Sequence, residues 1–552
     1  MKNSVIAIGL DAADPLLLEK WMEQGYLKNL NQLRLQGSYG HLKNTVEYSK
    51  KTEEFYITEC LWTIFNTGCL PNKTGYWSPV EYYKNNYQAI YDSTNGGYKY
   101  QEYLPFYALL ENHNIAIFDL PVTTLCKQVK GVQILGWGGH DPFTPRHSLP
   151  PEILPELTQK HGQDLIYQND IGIWWDKKYR KWLQEALKTN IAKRSAICQD
   201  LLTREPWDLF LAVFSETHTA GHDLYSYSQA DHPLYSTLKQ ENDSSDVLLE
   251  TYQQIDHAIG EIISQTSENS YILIFSLHGM DVNNADLFGM VFLPELMYRL
   301  SFPGQTAIAT GKINTPPPPM ITHPIRNSWL GEIWVKNTPK NWMQKLFGSW
   351  TPSSFLRSPK NGLDCPFFLL EQADSLAWIP TRWYQPLWHQ MKAFALPAFT
   401  DGQIRLNIKG RENQGIVQPF EYDQLCHQIT QHLLDLQDAR TGKPIVKDVI
   451  RTRQSPMEND TKLSDADLVV VWHGSPTDVI DSPDFGRIGP VPYFRPGGHR
   501  SRGFLMAKGP GITPNSTLET ASTVDLSATI LNLMNVPIPD YFDGKPLLNL
   551  NL

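Results

Sequence analysis

Five short segments hold residues able to bind a metal or attack an electrophile, and each lies beside an apolar run. Asp11 follows Val5-Ile6-Ala7-Ile8-Gly9-Leu10, and Thr58 opens TECLWTIFNTGCLPNKTG. His218 and His222 follow Leu209 to Phe214 in ETHTAGH, His278 follows Tyr271 to Phe275 in SLHGM, and His499 lies in GGHRSRG. Parallel strands in open α/β sheets present their carboxyl ends to ligands. Five such segments, far apart in the chain, therefore point to one metal-dependent active site.

His218 and His222 are four residues apart, so one helical turn sets both imidazoles on the same face. Neutral imidazoles at three or four positions favour zinc or another nitrogen-binding transition metal over magnesium. Glu216 reaches the same side if strand geometry continues past Phe214. Thr58 stands just before a helix expected from Glu59, where unpaired N–H groups and the helix dipole suit a phosphate and an incipient alkoxide. An alcohol is a poor nucleophile near neutral pH, so Thr58 needs a metal; a plain helix cap is the other reading. Gly497-Gly498 permits close backbone approach before His499, and Arg500 could grip an anionic oxygen with two N–H groups. Arg500 and Arg502 also fit a solvated loop pair. His140 and Asp141 read as a polar turn, and the Trp174-Trp175 and Trp378 to Trp388 stretches as core packing.

The elements around these residues alternate. Strands are expected at Val5 to Leu10, Ile115 to Phe118, Val132 to Leu135, Leu209 to Phe214 and Tyr271 to Phe275. Asp14-Pro15 opens a helix that stops at Gly25. Leu27, Leu30 and Leu33 form a second stripe, and Val247 to Ile262 recur at helical spacing. Strands separated by helices imply βαβ units and a mostly parallel sheet. After Pro303 the pattern breaks. The Pro316 to Pro319 run cannot continue a helix or a central strand, and the chain to about Trp383 reads as an inserted cap. Gln403 to Ile408 and Tyr422 to Leu436 then suggest a small α/β subdomain ending near Arg453. Leu468 to Trp472 is expected to return the chain to the core, which also carries Phe504 to Ala507 and a helix from Asp525 to Met534. The resulting division is 1–304 and 464–552 for the core, with 305–463 inserted.

At 552 residues with 41% hydrophobic content, the chain can bury a sizeable core. A net charge of -10 argues against a nucleic-acid polymer as partner. No apolar run approaches a membrane span. Met1-Lys2-Asn3 and a short apolar stretch make a poor signal peptide, and six cysteines show no CxxC pair. The expectation is a cytoplasmic protein with reduced thiols. Oligomeric state is left open.

Together the motifs resemble the type I phosphodiesterase/nucleotide pyrophosphatase family of the alkaline phosphatase superfamily. Asp11 matches its first metal-binding Asp. Thr58 with Thr67-Gly68, Pro71 and Gly75 matches its nucleophile segment, and Trp62 an aromatic common in its bacterial branch. His218 and His222 stand in its D-x-x-x-H motif, Ser276 to Met280 in S-D-H-G-M, and His499-Arg500 with Gly509-Pro510 in GxHR…GP. The resemblance implies an alkaline-phosphatase-like α/β fold: a mostly parallel sheet flanked by helices, with an inserted cap and a small α/β subdomain. It departs at four places: Leu277 and His218 replace aspartates, Leu61 replaces a phosphate-binding Asn, and Thr74 replaces a His. Losing two carboxylates makes the ligand set about two charges more positive, so two cations repel more strongly there. Glu216 or Asp281 are candidate replacements.

The resulting expectation is metal-dependent phosphoester hydrolysis through a covalent phosphothreonine on Thr58. Asp11, Thr58 and His278 would hold one metal weakly. His218, His222 and His499 would hold another, zinc, tightly, with Arg500 on the phosphate. The substrate is a small-molecule phosphoester of open identity. Transfer to an acceptor alcohol and a catalytically silent phosphate-binding relative are the alternatives.

Overall fold

The computed structural model of the chain describes residues 4–91, 97–139, 145–167, 169, 172–239, 246–308, 310–324, 328–336, 342–347 and 361–548. His140 and Asp141 lie outside the described residues. A nine-stranded sheet forms the centre, in the order Ser516–Thr517, Ser38–Lys43, Arg502–Lys508, Tyr271–Ser276, Val5–Leu10, Leu209–Phe214, Asn114–Phe118, Lys130–Leu135 and His147–Leu149. Arg502–Lys508 and His147–Leu149 run against their neighbours, and the others share one direction. This is the mostly parallel sheet that the alternating elements imply.

The Val5–Leu10 strand explains why the sheet reads as uninterrupted apolar runs. Val5 and Ala7 face the layer containing the Thr58–Thr67 and Val524–Leu533 helices. Ile6, Ile8 and Leu10 face the helices Pro15–Glu23, Lys28–Gln36, Lys177–Arg204 and Val247–Ser264. Covered on both faces, a strand has no solvent side on which to place polar residues. Local signals set the flanking helices. The Asp14 side chain accepts from the Leu16 amide ahead of Pro15, and Gly68, at φ 67°, ends the Thr58–Thr67 helix in the left-handed region.

Strand register then brings the site together. Leu10 pairs with Phe214, and Gly9 pairs with Phe275, so three parallel strands end level. Ser276 pairs with Phe504 on the antiparallel strand, while Met280 pairs with His499 in a short ribbon of Gly279–Val282 and Gly497–Arg500. That ribbon lies tightly on the Glu216–Ser228 helix: a Cβ on Gly497 would sit 2.0 Å from the Gly221 carbonyl oxygen. Gly497 is therefore required for the approach.

One expected strand belongs elsewhere. Leu468–Trp472 does not return the chain to the main sheet; it pairs with Gly402–Leu406 and Val446–Arg451 in a four-stranded antiparallel sheet completed by Ala393–Leu396. The run Leu-Val-Val-Val-Trp specifies a buried strand but not its partner, and a sheet closed by residues 468–472 crosses the boundary expected at 463. The chain rejoins the main sheet only at Arg502. Trp174, Trp175, Trp383 and Trp388 are buried in the core of this second region, as packing residues. No helix among the described residues is long and apolar enough to cross a membrane, and all six cysteines are buried and unbonded to one another.

Candidate active site

Asp11, Thr58, His218, His222, His278 and His499 meet at the level strand ends. Asp11 follows its strand directly and His278 stands two residues past the end of its own, and both are almost fully buried. His218 and His222 occupy the first two turns of the Glu216–Ser228 helix, one above the other as their spacing requires. The rings of His218, His222 and His499 form a near-equilateral triangle, with centroids 4.7, 4.8 and 4.8 Å apart.

Thr58 is the first residue of its helix, with Ile57 at the cap position, so it is not an N-cap. Its Oγ1 lies 3.1 Å from His499 Nδ1, and His499 Nε2 lies 3.2 Å from His218 Nε2. On the far side, His218 Nδ1 is 2.9 Å from Asp11 Oδ2, and His278 Nε2 is 3.4 Å from Asp11 Oδ1. Two groups of possible metal ligands result: His218, His222 and His499, and Asp11, His218 and His278. His218 belongs to both.

The donor set suits a transition metal. His222 Nδ1 donates to the Gly497 carbonyl at 2.8 Å, which leaves Nε2 as the lone-pair nitrogen. Two nitrogens bound to a tetrahedral zinc ion at about 2.0–2.1 Å lie about 3.3–3.4 Å apart, close to the 3.2 Å between His218 and His499. Burial, reinforced by His278, His222 and His218, holds His499 well below the usual imidazole range. A neutral imidazole is the form a metal needs.

Three expected contributors are placed otherwise. Glu216 is paired with the buried Arg194 at 2.9 Å and is in neither ligand group. The helix begins at Glu216 itself, so two residues of helical turn carry its side chain about 200° around from His218. Asp281 is held by Arg502 at 2.8 Å and by the Tyr225 hydroxyl at 3.0 Å. Arg500 donates to Asn284 Oδ1 and to the carbonyls of His499 and Val282, all acceptors of the protein itself. Leu277, where the resemblance leads one to expect an aspartate, is buried in the apolar layer with Leu61 and Trp62.

The structure adds contacts that motif reading did not anticipate. Trp62, one turn beyond Thr58, donates its indole N–H to Asp11 Oδ1 at 3.1 Å. The Thr217 hydroxyl donates to the Asp11 carbonyl, and Asn44 donates to the Leu277 and Ser501 carbonyls, tying two site segments together. Arg502 bridges Asp14, at 2.7 Å, and Asp281. The four-residue spacing of Trp62 from Thr58 was a visible signal; the other contacts are long-range and left none.

Residues 71–315 match the family described as type I phosphodiesterase / nucleotide pyrophosphatase. That stretch includes His218, His222 and His278, while Asp11, Thr58 and His499 lie outside it. No curated protein matches the chain. Among solved structures, phosphonoacetate hydrolase from Sinorhizobium meliloti 1021 with phosphonoformate is 10% identical, covering 97% of this chain and 96% of that one at a TM-score of 0.49. Murine ectonucleotide pyrophosphatase / phosphodiesterase 5 with AMP is 13% identical, with 97% and 96% coverage and a TM-score of 0.43. The human protein of that name is 11% identical at 0.44 with the same coverage. Over residues 71–315, this chain is similar to the type I phosphodiesterase / nucleotide pyrophosphatase family.

Proposed function

We propose that the protein is a metal-dependent phosphoester hydrolase of phosphodiesterase type that works through a covalent phosphothreonine on Thr58. The observation that carries this reading is the placement of Thr58 Oγ1 at a helix start, 3.1 Å from His499 and at the edge of the three-histidine triangle. The family match supports the hydrolase class.

His218, His222 and His499 would hold the metal, zinc by the chemistry of three imidazoles with an open position. When bound, it supplies a Lewis acid beside the phosphoryl oxygens and lowers the cost of ionising a nearby alcohol. Thr58 Oγ1 attacks phosphorus, the P–O bond to the leaving alcohol breaks, and the Thr58 proton departs to solvent or the leaving oxygen. The first-turn amides of the Thr58–Thr67 helix point their N–H groups toward the same phosphoryl group, where they offset its charge. Water then attacks the phosphothreonine, restoring the Thr58 hydroxyl and releasing the phosphate product. Asp11 and His278 make up, with His218, a second possible ligand group that shares His218 with the triangle. The insertion chooses the substrate, and the protein is cytoplasmic.

Thr58→Ala tests the reading. Turnover of an activated phosphodiester should fall to background while metal content stays at wild-type level and stability changes by less than about 2 kcal/mol. Thr58→Ser should keep part of the rate. An alanine variant that retains most of its turnover refutes the covalent step and leaves water as the attacking group. Product analysis with added alcohols separates hydrolysis from transfer.

A further inference from the structure

We infer that Asp11 orients His218 instead of ligating a metal, and that Trp62 fixes it in that role, so that the site holds one metal per chain. The inference rests on the three-histidine reading above.

The argument is one of donors and acceptors. His218 can give the triangle only Nε2, which faces His499 Nε2 at 3.2 Å. A neutral imidazole with a lone pair on Nε2 carries its proton on Nδ1. That nitrogen lies 2.9 Å from Asp11 Oδ2, so it donates to the carboxylate. A carboxylate behind a metal-bound histidine fixes the ring and raises its basicity, and it stays outside the coordination sphere. To serve both ligand groups, His218 would have to lose both ring protons.

The other oxygen of Asp11 is held as well. Trp62 donates to Oδ1 at 3.1 Å, and an indole nitrogen is a donor only. Trp62 cannot swing away: it is buried, edge-on to Phe65 and Phe275. His278 Nε2 lies 3.4 Å from the same oxygen without a hydrogen bond to it. Each oxygen of the buried Asp11 carboxyl thus has a ring nitrogen at hydrogen-bond distance, His218 Nδ1 on Oδ2 and Trp62 Nε1 on Oδ1.

The test is titration of metal-free protein with Co2+, followed by absorption, with Zn2+ competition for affinity. Wild type should take one equivalent. Asp11→Asn keeps an acceptor for His218 and should still take one equivalent, about 10- to 100-fold more weakly. Asp11→Leu should be weaker than Asp11→Asn. Trp62→Phe, which keeps the packing and deletes only the N–H, should weaken binding several-fold at unchanged stoichiometry. Two tight equivalents in wild type, one of them lost in Asp11→Asn, would overturn the orienting role. Unchanged affinity in Trp62→Phe would overturn the part assigned to Trp62. Wild type that takes up neither metal would instead remove the three-histidine reading and this inference together.

Discussion

Two buried carboxylate sites differ in what neutralises them. Glu216 and Asp119 close on Arg194 at 2.9 and 2.7 Å, and that guanidinium also reaches the Val213 and Gly138 carbonyls and the Ser215 hydroxyl. The Asp11 carboxyl has the rings of His218, His278 and Trp62 beside it. The guanidinium is permanently charged and planar, so it completes its site within the chain. The three rings bring no permanent charge. A carboxylate facing an arginine is thus read as structural, and one facing histidines as part of a candidate metal site. The Arg411–Asp467 and Arg405–Glu412 pairs of the small sheet are of the first kind.

The comparison breaks first on the ring side. His499→Ala should abolish metal uptake and lower turnover by at least about a thousandfold, measured by elemental analysis and steady-state rates. Arg194→Met should do the reverse. Leaving Glu216 and Asp119 unpaired in the interior should cost about 3–5 kcal/mol in denaturant melts, with metal stoichiometry unchanged. If Arg194→Met sheds the metal without destabilising the fold, the two sites are not distinct.

Much of this site was readable before any coordinates. Strands covered on both faces give unbroken apolar runs, and Asp11 and His278 stand within three residues of where two such runs end. Helical spacing correctly stacked His218 on His222. The failures have physical causes. Glu216 was assigned to the metals on the assumption that the strand continued, whereas the helix starts there and turns it toward Arg194. Leu468–Trp472 announced a strand, but its partners lie in the insertion, and strand pairing is a long-range property that a local run does not encode. Trp62 showed its helical spacing but not its hydrogen bond, because Asp11 lies 51 positions away.

A third carboxylate sharpens the contrast. Asp401, in the insertion, is buried with no hydrogen bond to the described residues, facing neither an arginine nor a histidine. Burial, aided by Glu53 and only partly opposed by Lys447, pushes its carboxyl up to about 7. The unfolded chain ionises this group near pH 4, while the folded chain keeps its proton until about pH 7. The native state therefore binds more protons in that window, and stability should fall as pH rises through it, then level off. Between pH 5 and 8 this group should contribute a loss of about 2–3 kcal/mol. Asp401→Asn should remove that slope from the pH dependence of the melt, and an unaltered slope would place the titration elsewhere.

The smallest effect is expected at Asp281, the other carboxylate near the metal ligands. It is one residue from Met280, which pairs with His499, so proximity alone would make it a ligand. Its contacts point the other way. Oδ2 takes Arg502 at 2.8 Å, with Arg500 at 3.6 Å, and Oδ1 accepts from the Tyr225 hydroxyl and the Val282 amide. Burial alone would raise its pKa, but Arg500 and Arg502 hold it below the usual carboxylate range. Stability from this pairing is present above about pH 4 and fades as pH falls through the depressed value. Asp281→Asn keeps the hydroxyl and amide contacts and loses the charge, on a side chain that is 24% exposed. A cost of about 1 kcal/mol or less at pH 7 is expected, with Co2+ stoichiometry and affinity as in wild type. A lost equivalent of metal would show that an arginine-paired carboxylate can still serve as a ligand here, and the distinction drawn between the two kinds of site would fail at its nearest test.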